Sequence, residues 1–587
     1  MIEVIAITGL GSDWKVFQPV IASSGTPFVS GADRERQTRS ALVIAVNDTY
    51  RIEPNLHEGI GGLARLRTLR RMREASGEEV LLLHAGDFLS PSLLSRTFDG
   101  KQMIAVLNLM NGQVGVPDPR MLVLFGNHEF DKKANCSDPS LLRARIRESE
   151  FRWLASNVDF DGCANGPMLL DDERKKVNGD TVVKVGGIRI GVFGLTIDLP
   201  ANANKPLPPI AGKAHRLALA RTESERLRTQ GAEVVIALTH LDRDEDASIL
   251  KAFSQKPVNG RVHDGPDLLI GGHDHERMVI SDDNGRSGYK ADSDAETASE
   301  VRLTIAADGR LDIAQRWVPL NSDIEEDKVV KAEVDRWLQK FEEERCGSDE
   351  GCLEKGTAVT PVGLSGDERE IRKNITTLGT WVSHEMLGAF EACGASIKPS
   401  VAFINSGSLR LNRDIRAGTK LTVRDIEELF GFETEARLVT LRGDQLKKIF
   451  EHSFSRRGTG GWLQFIGLTI NRDPETGNFQ LIDAEGRSVD ENEYGVITTE
   501  FLLNPLNEDG FDLSGAKEID CLNGKPPEAN LERLLTDKIT TAERIEVPPL
   551  PQLCEQVSCL TLTRDGSGIT ANKPPEAQSY PAPTPAH

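Results

Sequence analysis

The sequence predicts an α/β protein of at least two domains. Short apolar runs recur between residues 81 and 275, each leading into Gly, His, Asn or Asp, and helix-periodic segments lie between them. The 587 residues also exceed what one hydrophobic core usually serves. Leu81-Leu82-Leu83 leads into Asp87, Met121 to Phe125 into Asn127, Val234 to Leu238 into His240, and Leu268 to Ile270 into His273. Apolar runs bounded in this way read as buried strands. Their alternation with helical segments reads as a layered α/β domain.

Residues 1–40 form an N-terminal extension with an apolar start, a Gly/Ser loop and the charged stretch Asp33-Arg34-Glu35-Arg36. Residues 41–320 carry the strand and helix alternation. Within them, Gly61 to Met72 places Leu63, Leu66 and Leu69 on one face, an amphipathic helix. Residues 321–356 read as a linker helix, with Val329, Val330, Val334, Trp337 and Phe341 as its apolar stripe. A second domain spans 357–545. From 546 to 587 the chain turns to Pro, Ser, Thr and Ala, a composition expected to be disordered.

Hydrophobic residues make up 39% and charged residues 27%, the balance of a globular protein. The net charge of -20 opposes a nucleic-acid polymer as partner. A small phosphate ester stays open, because bound metals invert the local field. No stretch reaches the roughly 20 apolar residues of a transmembrane segment. Met1 to Ile7 is apolar but lacks a basic region before it, so it does not read as a signal peptide. That points to the cytoplasm, with a periplasmic or extracellular site as the alternative if the recorded start is not the native one. Of eight cysteines, the pairs Cys346/Cys352 and Cys554/Cys559 are placed to form local disulfides, with unpaired thiols as the alternative.

The chemistry gathers in four signatures: His84-Ala85-Gly86-Asp87, Gly126-Asn127-His128-Glu129, Thr239-His240 and Gly272-His273-Asp274-His275. Side chains at the C-terminal ends of buried parallel strands converge in one crevice. That crevice would hold Asp87, Asn127, His128, His240, His273 and His275. Such a mixed oxygen and imidazole set suits two divalent transition metals.

These signatures resemble the calcineurin-like metallophosphoesterase superfamily, and the sequence further along resembles its 5'-nucleotidase family. The resemblance covers roughly residues 41–320 and 360–515. It implies a four-layer α/β/β/α metallophosphoesterase domain plus a smaller α/β 5'-nucleotidase C-terminal domain. It also implies two divalent or mixed-valence ions of the Mn, Zn or Fe kind. Asp87 would bridge them. Asn127, His240 and His273 would complete one ion, and Asp48 and His275 would belong to the other. His128 would assist the leaving oxygen, oriented by Asp131. One motif departs from the family: Asn47-Asp48-Thr49-Tyr50 puts Tyr50 where the family's Asp-x-His has histidine. A phenolate can ligate a hard trivalent ion, whereas a neutral phenol is a poor ligand. Tyr50 thus leaves open a changed metal, a weaker first ion or an altered charge, and keeps a metal-poor binding protein as a reading.

In the second domain, Asn405-Ser406-Gly407-Ser408-Leu409-Arg410 resembles the family's Asn-x-Gly-x-x-Arg motif. Arg372, ahead of Leu378-Gly379, resembles a second substrate arginine. Leu429 to Phe432 resembles the Pro-Phe turn, and Thr498 to Phe501 with Glu508 to Phe511 the last substrate loop. The intervening Leu502 to Asn507 is longer than usual, and the Gly-Gly before the Asp is missing. The implied roles are base stacking by Phe432 and Phe501, phosphate or carboxylate pairing by Arg372 and Arg410, a base-edge contact from Asn405 and ribose contacts from Asp509. The implied reaction is hydrolysis of a nucleotide, a nucleoside 5'-monophosphate, to nucleoside and phosphate. Cyclic nucleotides, nucleotide-sugar pyrophosphates and sulfur esters are alternatives on the same scaffold.

Overall fold

The computed structural model describes residues 37–55, 59–199, 206–253, 264–282, 285–391, 393–472, 479–489, 492–507, 509–519 and 528–554. It also places two short strands, Glu3–Ala6 and Lys15–Val16. The apolar runs are strands. Arg39–Val46, Val80–His84, Met121–Leu124 and Arg152–Leu154 pair in parallel within an eight-stranded sheet. Ile188–Thr196, Val234–His240 and Leu268–Gly271 pair in parallel within a seven-stranded sheet.

Alternation along each strand builds the layers. Leu42, Ile44 and Val46 pack with Leu63, Leu66 and Leu69 of the helix Leu63–Ala75. Ala41, Val43 and Ala45 face the other way and meet Val234, Ile236 and Leu238 of the second sheet. From that sheet Val235 and Ala237 point outward to Ala220 and Leu227 of the helix Lys213–Thr229 and to Ala247 and Leu250 of Arg243–Ala252. The order is helix, sheet, sheet, helix, and both sheets are covered on both faces. This is why their strands read as unbroken apolar runs.

The linker helix spans Lys328–Cys346, capped by Asp327, whose side chain accepts from the N–H groups of Val329 and Val330. Val330, Val334, Trp337 and Phe341 are buried. Val329, assigned to the stripe, is 55% exposed because it lies one position off the buried arc. The second domain centres on Pro399–Asn405, Glu493–Thr499 and Ala436–Arg442 in a five-stranded sheet. The helices Thr377–Glu391 and Leu531–Thr541 cover one face and Gly443–Ser455 the other.

The chain ends contribute more than their composition suggests. Glu3–Ala6 pairs with Met278–Ser281, and Lys15–Val16 with Ala314 and Gln315. Leu553–Cys554 pairs in parallel with Ile470 and Asn471, so residues 546–554, assigned to the tail by composition, belong to the described fold. The tail from 555 lies outside the described residues. Disulfides join Cys136 to Cys163 and Cys346 to Cys352. Of the expected pair Cys554/Cys559, Cys559 lies outside the described residues. Among the described residues no helix is long and apolar enough to cross a membrane.

Trp153 is fully buried, with ring centroids 5.1 Å from Phe88 and 4.6 Å from Phe125. These two phenylalanines flank the loops that carry Asp87 and Asn127. Trp153→Ala should cost about 3–5 kcal/mol in chemical denaturation and should lower metal content in the same sample.

Candidate metal centre

The crevice forms where strands of both sheets end together. The chain must turn sharply after each strand, and Asp48, Asp87, His273 and His275 turn with φ of 50°, 60°, 82° and 62°. Side chains disfavour this left-handed region, and such strain collects at functional sites. Asp48, Tyr50, Asp87, Asn127, His128, His240 and His275 are buried, and His273 is half-buried. Gly126 is required by close approach: a Cβ there would lie 2.1 Å from Asp87 Oδ1.

Two sets of donor atoms share Asp87 Oδ2. In the first set, His240 Nε2 lies 3.1 Å from Asp87 Oδ2 and 3.1 Å from Asn127 Oδ1, and His273 Nδ1 lies 3.2 Å from Asn127 Oδ1. In the second, the Tyr50 hydroxyl lies 2.9 Å from His275 Nε2, 3.3 Å from Asp87 Oδ2 and 3.4 Å from Asp48 Oδ1. His275 Nε2 is 3.3 Å from Asp48 Oδ1. Ligands about 2.0–2.1 Å from an ion stand about 3.0–3.4 Å from one another. His240 Nδ1 donates to the Ala85 carbonyl at 2.7 Å, which turns Nε2 toward the crevice, where its lone pair is free for an ion once its proton leaves. In both sets acceptors outnumber protons, and a cation satisfies them together. The residues present therefore fit metal ions.

His128 stands beside these sets. Its N–H donates to Asp87 Oδ1 at 2.8 Å, its Nδ1 meets Asp131 Oδ2 at 2.8 Å, and its Nε2 is 3.9 Å from Asp87. Burial works against charging its ring, but Asp131 and Asp87 outweigh burial and raise it to about 9. Burial likewise opposes charge on His240, and Asp87 and Asp48 carry it to about 10. Burial opposes ionising Asp48 and Asp87, yet the facing histidines hold both carboxyls well below the usual range. Burial first, then Asp87 and Asp48, push the Tyr50 phenol up. His84, which opens the Asp87 signature, contacts Thr49 Oγ1 at 3.1 Å, and burial lowers it to about 4.

Supporting residues escaped the sequence reading. Glu129 accepts from the backbone N–H groups of Gly126, Asp87, Phe88 and Leu89 at 2.6, 2.9, 2.9 and 3.1 Å, bracing two loops at once. It stands in a quoted signature, but its role needs the folded geometry. Lys290, 1% exposed, donates to the carbonyls of Leu241 and Gly272 at 2.6 and 2.9 Å and pairs with Asp246 and Asp274. It ties the His240 loop to the His273 loop. Glu368 carries no sequence signal at all, and lies 2.8 Å from His275 Nδ1.

The second domain closes over the centre. The Arg410 guanidinium stands 5.5 Å from the Tyr50 ring centroid, and Arg372 Nη2 lies 3.4 Å from His275 Nδ1. The ring of Phe432 is 5.8 Å from that of His128. Asn405 Nδ2 donates to Asp509 Oδ2 at 2.9 Å. Phe501 lies on the short helix Glu500–Leu503, 37% exposed, and among the described residues no ring contact joins it to the others.

Comparison with known proteins agrees with this architecture. The calcineurin-like phosphoesterase family matches residues 41–277, and the 5'-nucleotidase C-terminal domain matches 356–513. A 5'-nucleotidase of Rattus norvegicus is 25% identical over 443 residues, 70% of this chain and 70% of that one. The structure of a 5'-nucleotidase precursor from Thermus thermophilus superposes with a TM-score of 0.69 at 19% identity, covering 88% of this chain and 100% of that one. A sulfate thiohydrolase of the same organism, SoxB, does so with a TM-score of 0.64 at 17% identity, covering 90% and 98%. At these identities the two structures establish a shared fold. The phosphoesterase match implies divalent metal ions.

With His240 raised to about 10, the metal-free protein holds that proton at pH 8. A ligating imidazole must be neutral, so adding Zn(II) or Mn(II) to chelator-stripped protein should release at least one proton per chain, that of His240 among them. An indicator-dye titration checks this, and the His240 share of the release should fall away as pH rises through about 10. A raised pKa also stabilises only while the group is protonated. The His240–Asp87 pairing is thus fully stabilising below the ordinary 6.5 and lost as pH rises through about 10. The melting temperature of stripped protein should fall across that window.

Proposed function

Because the chain belongs to the 5'-nucleotidase family of calcineurin-like metallophosphoesterases, we propose that it hydrolyses nucleoside 5'-monophosphates to nucleoside and inorganic phosphate. One observation carries the reading beyond kinship. Arg410 Nη1 and Arg372 Nε are buried without a hydrogen-bond partner, on guanidinium groups that stand against Tyr50 and His275. Buried donors without acceptors are costly. A phosphate monoester brings the oxygens they lack, in the forked geometry that arginine suits.

In this reading residues 41–320 are the catalytic domain and 357–545 the substrate domain. Asp87, Asn127, His240 and His273 would hold one ion, and Asp48, Asp87, Tyr50 and His275 the other. Bound there, the ions would supply Lewis acidity to the phosphoryl oxygens and an activated water for in-line attack. The chain's own groups do the rest. Arg372 and Arg410 orient the phosphate. His128, its charge held by Asp131, gives a proton to the ester oxygen as the P–O bond breaks. Phe432 offers a face for stacking the base, with Phe501 as its opposite number. Asn405 and Asp509 meet the polar edges of the nucleoside.

We also infer an oxidising compartment. Its support is the pair of disulfides Cys136–Cys163 and Cys346–Cys352, which reducing compartments seldom tolerate. Peptide mapping of unreduced protein should recover both linkages; alkylated free thiols at Cys136 and Cys163 would contradict the inference.

Phosphate release from AMP, with metal content measured on the same sample, tests the main reading. Two ions without AMP turnover would move the substrate to cyclic nucleotides, pyrophosphates or sulfur esters. His128→Ala should lower kcat by about 10²–10⁴-fold while metal content stays at the wild-type value. Retained turnover would remove the role assigned to His128.

A further inference from the structure

The centre is not confined to one domain. His275 follows the first-domain strand Leu268–Gly271, but its Nδ1 lies 2.8 Å from Oε1 of Glu368 on the short second-domain helix Glu368–Ile371. His240 differs, because its Nδ1 is held by Ala85 of its own domain. An imidazole turns a lone pair toward a metal from one nitrogen while the other donates, and the acceptor of that donation fixes the ring plane. For His275 that acceptor is a half-buried carboxylate from across the boundary, itself ion-paired with Arg372. The boundary is stitched nearby as well. Arg51 lies 3.7 Å from Glu428 and donates to the Leu411 carbonyl at 3.3 Å, and Lys373 pairs with Glu276.

We propose that Glu368 is a positioning residue that acts across the domain boundary: it aims His275 Nε2 at Asp48 and so links ion occupancy on the Asp48 side to docking of the second domain. The inference rests on the metal-centre reading above. The link is reciprocal by necessity. Docking strengthens ion binding on that side, and an ion there favours docking. The Asn127–His240–His273 side, braced within its own domain, meets it only through the shared Asp87.

The test uses the full chain as wild type, Glu368→Ala and Glu368→Gln. Each is loaded with Mn(II) against a competing chelator, and the ions per chain are measured. Small-angle scattering then gives the radius of gyration with and without metal. Glu368→Ala should bind the Asp48-side ion about 10–100-fold less tightly, keep the other ion close to wild-type affinity, and no longer become more compact on loading. Glu368→Gln retains an acceptor oxygen and should fall between the two. If the alanine variant fails to fold, the glutamine variant decides by the same readings. Unchanged affinities and unchanged compaction in the variants would overturn the proposal and leave the hydrolase reading standing. Wild-type protein that binds no ion would overturn both.

Discussion

The burial of two carboxylates side by side, Asp48 at 0% and Asp87 at 1% exposure, sets the terms for the structure around them. Buried charge is tolerated only when paired and hydrogen-bonded. Asp48 Oδ2 receives the Asn47 side-chain amide and the His273 N–H, each at 2.8 Å, and Asp87 Oδ1 receives the His128 N–H. Imidazoles face the remaining oxygens. None of this is possible unless strands from two different sheets end at the same depth. The inter-sheet core of Ala41, Val43, Val234 and Ile236 registers them. Glu129 and Lys290 then fix the loops, the one by gathering backbone N–H groups and the other by gathering carbonyls.

The second domain completes the same electrostatic arrangement from outside. Arg372 and Arg410 place positive charge over a crevice whose first-domain wall supplies carboxylates and histidines. A net charge of -20 describes the molecule's surface poorly as a guide to its ligand, because the relevant field is local and is set by two arginines and the donor sets beneath them.

How much of this the sequence disclosed follows from range. The strands were legible because both sheets are covered on both faces, which turns each strand into an apolar run. The crevice residues were legible because each sits directly after such a run. Glu368 was not, since its partner His275 is 93 residues away and in another domain. The disulfide between Cys136 and Cys163 spans 27 residues and follows no spacing rule. Val329 failed on rotation alone, since a helical stripe admits a neighbour that packing then rejects. Strands as short as Lys15–Val16 and Leu553–Cys554 exist only by pairing with an edge already built, so composition could not announce them.

The left-handed backbone at Asp48, Asp87, His273 and His275 bears on how such a chain changes over time. Each residue held there carries strain on the order of 1–3 kcal/mol. Glycine at any of the four would relieve it. Selection for a sturdier fold alone would therefore wear away the crevice first, well before the cores around it. A lineage that keeps these four side chains must be under continuing pressure to bind what they face.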